Sequence, residues 1–133
     1  MSRKNNLSKF QSITAGDMSL SSVTSAVTDI QFLDNVGIQL NWTGSPVGDF
    51  AIQVSADYSQ GLNGNVQSTG NWVPLTLTYF TGGVFVTGTS IPTSVGSPIY
   101  LDLNQLSAPY IRVVYTKGSG TGSLDCFLTS KMV

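Results

Sequence analysis

Hydrophobic and polar positions alternate along most of this chain with the two-residue period of β-strands. Val36, Ile38, Leu40 and Trp42 fall on one side, and Gly37, Gln39, Asn41 and Thr43 on the other, as in a half-buried strand. A one-residue slip would turn the whole apolar set to water, so the alternation itself sets the pairing. The turn Gly44-Ser45-Pro46-Val47-Gly48-Asp49 leads to a second alternating run, Phe50, Ile52, Val54, Ala56 and Tyr58. Together they predict a hairpin. Residues 59–71, SQGLNGNVQSTGN, hold only Leu62 and Val66 as apolar positions and read as a long surface loop.

Beyond that loop, Val73, Leu75, Leu77 and Tyr79 share a face of a strand over residues 72–80, with Pro74 suited to its start or to an edge. Val84, Phe85 and Val86 form a short strand between glycines. Ile99, Leu101 and Leu103 alternate next, then Ile111, Val113 and Tyr115. The turn from Lys117 to Gly122 predicts a hairpin onto a last strand where Leu124, Cys126, Leu128 and Met132 share a face with Ser130. A less regular stretch, residues 23–33, puts Ile30 and Phe32 on one side. The count is seven to nine short strands at the spacing of an antiparallel sandwich or barrel, with no helix of three turns.

Residues 1–20 break this pattern. They carry three of the six bases, Arg3, Lys4 and Lys9, and their apolar residues Leu7, Phe10, Ile13, Met18 and Leu20 follow neither the strand nor the helix period. They read as an extended N-terminal arm before a domain over residues 21–133. Such an arm is either a frayed terminus or a segment lying on a neighbouring subunit, with Phe10 and Ile13 filling small pockets there.

Composition narrows function mainly by exclusion. Ser and Thr supply 32 of 133 positions, only 10% of residues are charged, and the formal net charge is −1. There is no global positive field for a nucleic acid or an anionic membrane. The first twenty residues lack the apolar run of a secretory signal, and no stretch is long and apolar enough for a spanning helix. Histidine and glutamate are absent, which removes Ser-His-Asp triads, histidine zinc sites and histidine-ligated haem. The single cysteine, Cys126, cannot form an internal disulfide and sits at an inward strand position, where a thiol behaves as a small apolar group.

The remaining chemistry is sparse. Two of the seven Asp could in principle form a glycosidase pair, but Asp17, Asp29, Asp34 and Asp49 sit in the arm or beside turns, and Asp57, Asp102 and Asp125 face away from the apolar sides. The stretch DYSQGLNGN sets Asp57, Ser59, Asn63 and Asn65 at alternating spacing, yet it has Leu62 where a helical calcium loop needs Gly and Ser68 where it needs an acid. Asn41-Trp42-Thr43 matches a glycosylation acceptor but lies within a strand. Trp42 points inward as core. Trp72, directly after the loop, reads first as core or strand packing, and otherwise as a sugar-stacking ring at a binding rim, while Arg112 and Lys117 read as solvated. No catalytic, cofactor or metal site is expected, and the chain reads as non-enzymatic.

Three phrases carry a family resemblance: NWTG-P-G-F-IQVSAD, GNW-PL-L and LSAPYIRVVYT followed by SG-G-L. They resemble small virion structural proteins of tailed bacteriophages, of the decoration or auxiliary type, and the likeness runs through nearly the whole chain. The resemblance implies an all-β, single antiparallel β-sandwich made in the host cytoplasm and built into the virion. It implies capsid or tail subunits as partners and a homo-oligomer or repeated copies on a symmetric particle, and the charge and hydropathy already argue against nucleic acid or membrane as a partner. The arm residues Arg3, Lys4, Lys9, Phe10 and Ile13 are then the candidate partner contacts. QVSADYSQ, GNWVPL and APYIRVVYT also resemble galactose-binding-like jelly rolls. That gives a second reading, a carbohydrate-binding module for host glycans in which Trp72 and Tyr58 hold the sugar.

Overall fold

The computed structural model describes residues 7–31, 33, 35–104 and 106–131. Two antiparallel sheets face each other across one core, forming the all-β sandwich the alternation implied. The strands are β1 (Leu7–Asp17), β2 (Ser22–Thr24), β3 (Thr28–Asp29), β4 (Asn35–Gly44), β5 (Val47–Ser55), β6 (Ser59–Gln60), β7 (Val66–Ser68), β8 (Val73–Pro74), β9 (Leu77–Thr81), β10 (Val84–Gly88), β11 (Ile91–Pro92), β12 (Ile99–Asn104), β13 (Tyr110–Ser119) and β14 (Gly122–Lys131). Eight have five residues or more, within the expected seven to nine, and the rest are short edge pieces. One sheet runs β1-β14-β4-β12; the other runs β11-β5-β13-β2, with β3 also on β13 and β8 on β5.

Neither expected hairpin forms where the sequence placed it. β4 pairs with β14 in one sheet, whereas β5 pairs with β13 in the other. The two turns are therefore corners at which a single long antiparallel ribbon, β4–β5 against β13–β14, bends from one sheet to the other. This is a jelly-roll style of winding. The corners lie against each other: the Ser45 N–H donates to the Thr121 carbonyl at 3.0 Å. Gly120 has φ +79°, and a Cβ there would clash with the Ser45 carbonyl oxygen. Only glycine fits that approach.

The bent ribbon supplies most of the core. Val36, Ile38, Leu40, Leu124, Cys126 and Leu128 project from one sheet, and Phe50, Ile52, Ile111, Val113 and Tyr115 from the other, all buried. Each large apolar side chain so buried is worth about 1.5–3 kcal/mol. Half-buried Trp42 caps this core, its ring centroid 5.0 Å from that of Phe50, which lies 5.1 Å from Tyr115. Ser25 Oγ is satisfied within the core, accepting the Val113 N–H at 2.9 Å and donating to the Ala26 carbonyl at 3.0 Å, whereas the buried Tyr115 hydroxyl has no hydrogen-bond partner among the described residues.

The arm reading is corrected from Leu7 onward. Residues Leu7–Asp17 are an edge strand of the sandwich, in register with β14 from Leu7↔Lys131 to Asp17↔Ser123. Ile13 lies opposite Cys126 with 7% exposure, and Met18 is fully buried, so neither is free for a partner. The sequence hid the strand because its register shifts twice, between Gln11 and Ile13 and between Ile13 and Gly16, which scrambles the two-residue period. Asp125 holds the distortion, accepting the Ala15 N–H at 2.9 Å and Gln11 Nε2 at 3.1 Å.

The run read as one strand over residues 72–80 is also divided. Val73–Pro74 lies on the edge of β5, and Leu77–Thr81 leaves it to pair with β10 in a separate two-stranded hairpin. Its connection is Gly82-Gly83, with φ of +58° and +81°, the two left-handed positions of a tight type I′ turn. Residues 59–71, read as a loop, carry the small β6–β7 pair.

Candidate functional site

The β9–β10 hairpin is where the molecule departs from an ordinary sandwich surface. Phe80 and Phe85 stand opposite each other in its register, their ring centroids 5.0 Å apart and inclined by 66°. Both rings are largely in water, 59% and 76% exposed. Exposed Val84 stands beside the turn, and Tyr100 on β12 is 56% exposed. Between hairpin and sandwich runs a groove of about 330 Å³ whose lining includes Phe80, Phe85, Val95, Pro98, Ile99 and Tyr100. The phenol of Tyr100 reaches Thr129 Oγ1 at 3.1 Å and lies over Gly37, where any Cβ would clash with it.

The chain segment that builds this surface is uncharged up to Asp102, which stands at its border on β12. From Asp57 to Asp102 the intervening 44 residues carry no charged side chain, and they supply β6 to β11 and the start of β12. Exposed rings without charge are the composition of an interface centre rather than of free surface. The sequence offered one indication of it, a Gly-Gly pair between strand-forming aromatics, which marks a two-residue hairpin.

A second aromatic group gathers on the outer face of the other sheet. Tyr58 and Trp72, the two candidate sugar-binding rings, do come together, with centroids 5.6 Å apart, and Tyr110 joins them 4.9 Å from Tyr58. Arg112 completes the group. Its guanidinium carbon lies 4.3 Å from the Trp72 ring centroid, and its Nε donates to Gln53 Oε1 at 2.8 Å. Burial pushes the Arg112 pKa below its usual value. Arg112 is thus a cation–π partner, not the solvated side chain its sequence position implied.

These rings are occupied with each other. Tyr58 is only 7% exposed, and its hydroxyl accepts from Gln60 Nε2 at 2.7 Å. Arg112 covers the Trp72 ring, and Trp72 Nε1 donates to the Thr69 carbonyl at 3.0 Å. Beside them Asp57 ties down the return of the 59–71 segment. Its carboxylate accepts from the Asn71 N–H and Nδ2, both at 2.7 Å, and from Ser55 Oγ at 2.9 Å. These donors, the Asn71 N–H foremost, hold the Asp57 pKa below its ordinary value.

The other residues singled out from sequence are scattered. Lys9 is exposed on the outer face of β1, and Phe10 is partly exposed at the sheet edge opposite Leu128. Ile13 belongs to the core. Arg3, Lys4, Phe32 and Met132 lie outside the described residues. Lys117, read as solvated, donates its Nζ to the Ser19 carbonyl at 2.9 Å. Burial pushes the Cys126 thiol up to about 11, so it is protonated at neutral pH.

No family model matches the chain, and no curated protein does. Among solved structures, the crystal structure of the SPBc2 prophage-derived protein YomS is similar, with a TM-score of 0.55 and 13% identity over 93% of this chain and 91% of that one. The likeness extends through the whole sandwich and shows a shared fold.

Proposed function

We propose that this protein is a non-enzymatic structural component of a tailed-phage particle, bound to capsid or tail subunits as a decoration, auxiliary or connecting protein. The observation that carries the reading is the exposed apolar surface bearing Phe80, Val84, Phe85 and Tyr100. Leaving such rings in water wastes apolar area that a partner would bury, at about 25 cal/mol per Å². Full-length likeness of fold to a prophage-encoded protein supports a phage origin, in line with the virion-protein phrases of the sequence. Fold alone does not give function, so the role rests on the surface.

The glycan reading has less support. A sugar platform needs open aromatic faces, whereas Tyr58 is buried against Tyr110 and Trp72, and Arg112 covers Trp72.

Gold-labelled antibody raised against the protein tests the proposal on intact particles. Labelling at fixed, symmetric positions is the expected result. Labelling no denser than on particles from which the gene has been deleted would contradict it.

A further inference from the structure

We infer that the β10 edge is a self-pairing surface, at which two copies of this chain join their hairpins into one four-stranded antiparallel sheet across a two-fold axis. The inference concerns the backbone edge of β10, whereas the particle reading rests on the exposed ring faces beside it, so either can fail without the other.

The first ground is how the other sheet edges are treated. Natural proteins guard exposed edges with charges, prolines, bulges or brevity. β1 has exposed Lys9 and two register shifts, and β12 has exposed Asp102. β8 contains Pro74 and β11 contains Pro92, while β2 and β3 are short pieces separated at Ser25. β6 and β7 have two and three residues. β10, Val84-Phe85-Val86-Thr87-Gly88, has none of these devices within its sequence, and its pairing with β9 is continuous over all five residues. Among the described strands it is the long edge left ready for another strand. The far edge of β9 is different, since it faces Tyr100–Leu103 of its own sandwich across a groove.

The second ground is that a two-stranded hairpin, here held to the core through Leu77 and Tyr79 of β9, gains from further strands. The third is the match of β10 to itself. In the ladder with β9, Val84, Val86 and Gly88 alternate with Phe85 and Thr87, and the tight turn makes Val84 a hydrogen-bonded partner of Thr81. The N–H and C=O groups of Phe85 and Thr87 therefore point outward. An antiparallel second β10 centred on Val86 sets Phe85 of one copy opposite Thr87 of the other, so every outward group meets its complement. The two Phe85 rings become diagonal neighbours, within reach of each other. With no charge anywhere on the segment, approach of an identical copy meets no like-charge repulsion. This backbone edge fits a second copy better than a partner recognised through charge, and closed two-fold dimers are the commonest homo-oligomers.

The test is solution mass by analytical ultracentrifugation at high micromolar concentration. The wild-type chain is expected at twice its 14.1 kDa mass. Thr87→Lys, at an exposed site that leaves the core untouched, is expected to sediment as a monomer with an unchanged circular dichroism spectrum. As an independent check, Val86→Cys places a thiol on the two-fold axis and is expected to give a covalent dimer with oxidised glutathione. A monomeric wild type, or a Thr87→Lys variant that remains dimeric, would overturn the inference, as would a folded Val86→Cys variant that fails to cross-link.

Discussion

Phe80 and Phe85 face each other edge-on across the β9–β10 hairpin at 5.0 Å, yet both rings remain largely exposed to water. An aromatic pair of this kind contributes about 0.5–1.5 kcal/mol beyond its buried area, which scarcely accounts for two large rings held in water. Replacing both by alanine is therefore expected to lower folding stability by about 1–3 kcal/mol, the pair term plus the partial burial of each ring, while abolishing association with particles. Urea unfolding and co-sedimentation with particles lacking the protein measure the two effects. A loss of stability large enough to unfold the chain would place these rings in the fold rather than at an interface.

Removal of residues 1–20 is expected to damage the sandwich itself, because Ile13 and Met18 leave the core with β1. Each contributes about 1.5–3 kcal/mol of burial, a large share of a small domain's net stability. A truncated chain that melts at the wild-type temperature would contradict the place of β1 in the sheet.

Gly120→Ala tests the paired corners. Left-handed backbone and contact with the Ser45 carbonyl oppose any side chain there. The expected loss is at least about 2 kcal/mol, from strain and the shift needed to relieve the clash, read as a drop in the urea midpoint at constant slope.

Asp57 makes stability depend on acid. Its folded pKa lies below the ordinary carboxylate value of 3.8, so its contribution is complete above that value and is lost as pH falls through the folded pKa. Thermal melts from neutral pH downward are expected to show a fall beginning near pH 4 that is shallower in Asp57→Asn. Equal slopes for the two proteins would mean that the Asn71 clasp does not persist in solution.

Cys126 is expected to resist thiol reagents in the folded protein, being fully buried with its pKa raised to about 11. Modification by dithionitrobenzoate should follow the rate of unfolding in denaturant. Rapid labelling under native conditions would contradict the packing of β14.

The strands most visible in the sequence are those with one face in the core and an unbroken two-residue period. Val36/Ile38/Leu40 and Ile111/Val113/Tyr115 were readable for that reason, and both face the core. β1 was not, since its register shifts displace Ile13 from the expected alternation. Pairing was less visible than strand position. A Gly-rich turn between two alternating runs has the same local chemistry whether the runs pair or the chain crosses to a second sheet, and only the long-range contact of Ser45 with Thr121 distinguishes them. Tyr58 and Trp72 were singled out together, but Tyr110 and Arg112, which bury and cover them, come from a strand far along the chain. The exposed Phe80–Phe85 pair could not be read from alternation, because a ring facing water and a ring facing a core give the same pattern.

Incorporation into a phage particle, as proposed, fixes the number of copies of this chain per particle. Quantitative mass spectrometry of purified particles from the source, reading its copies against the major shell protein, tests that most directly. A fixed, reproducible ratio from preparation to preparation is the predicted result. Absence from particles that carry their full complement of other structural proteins would contradict it.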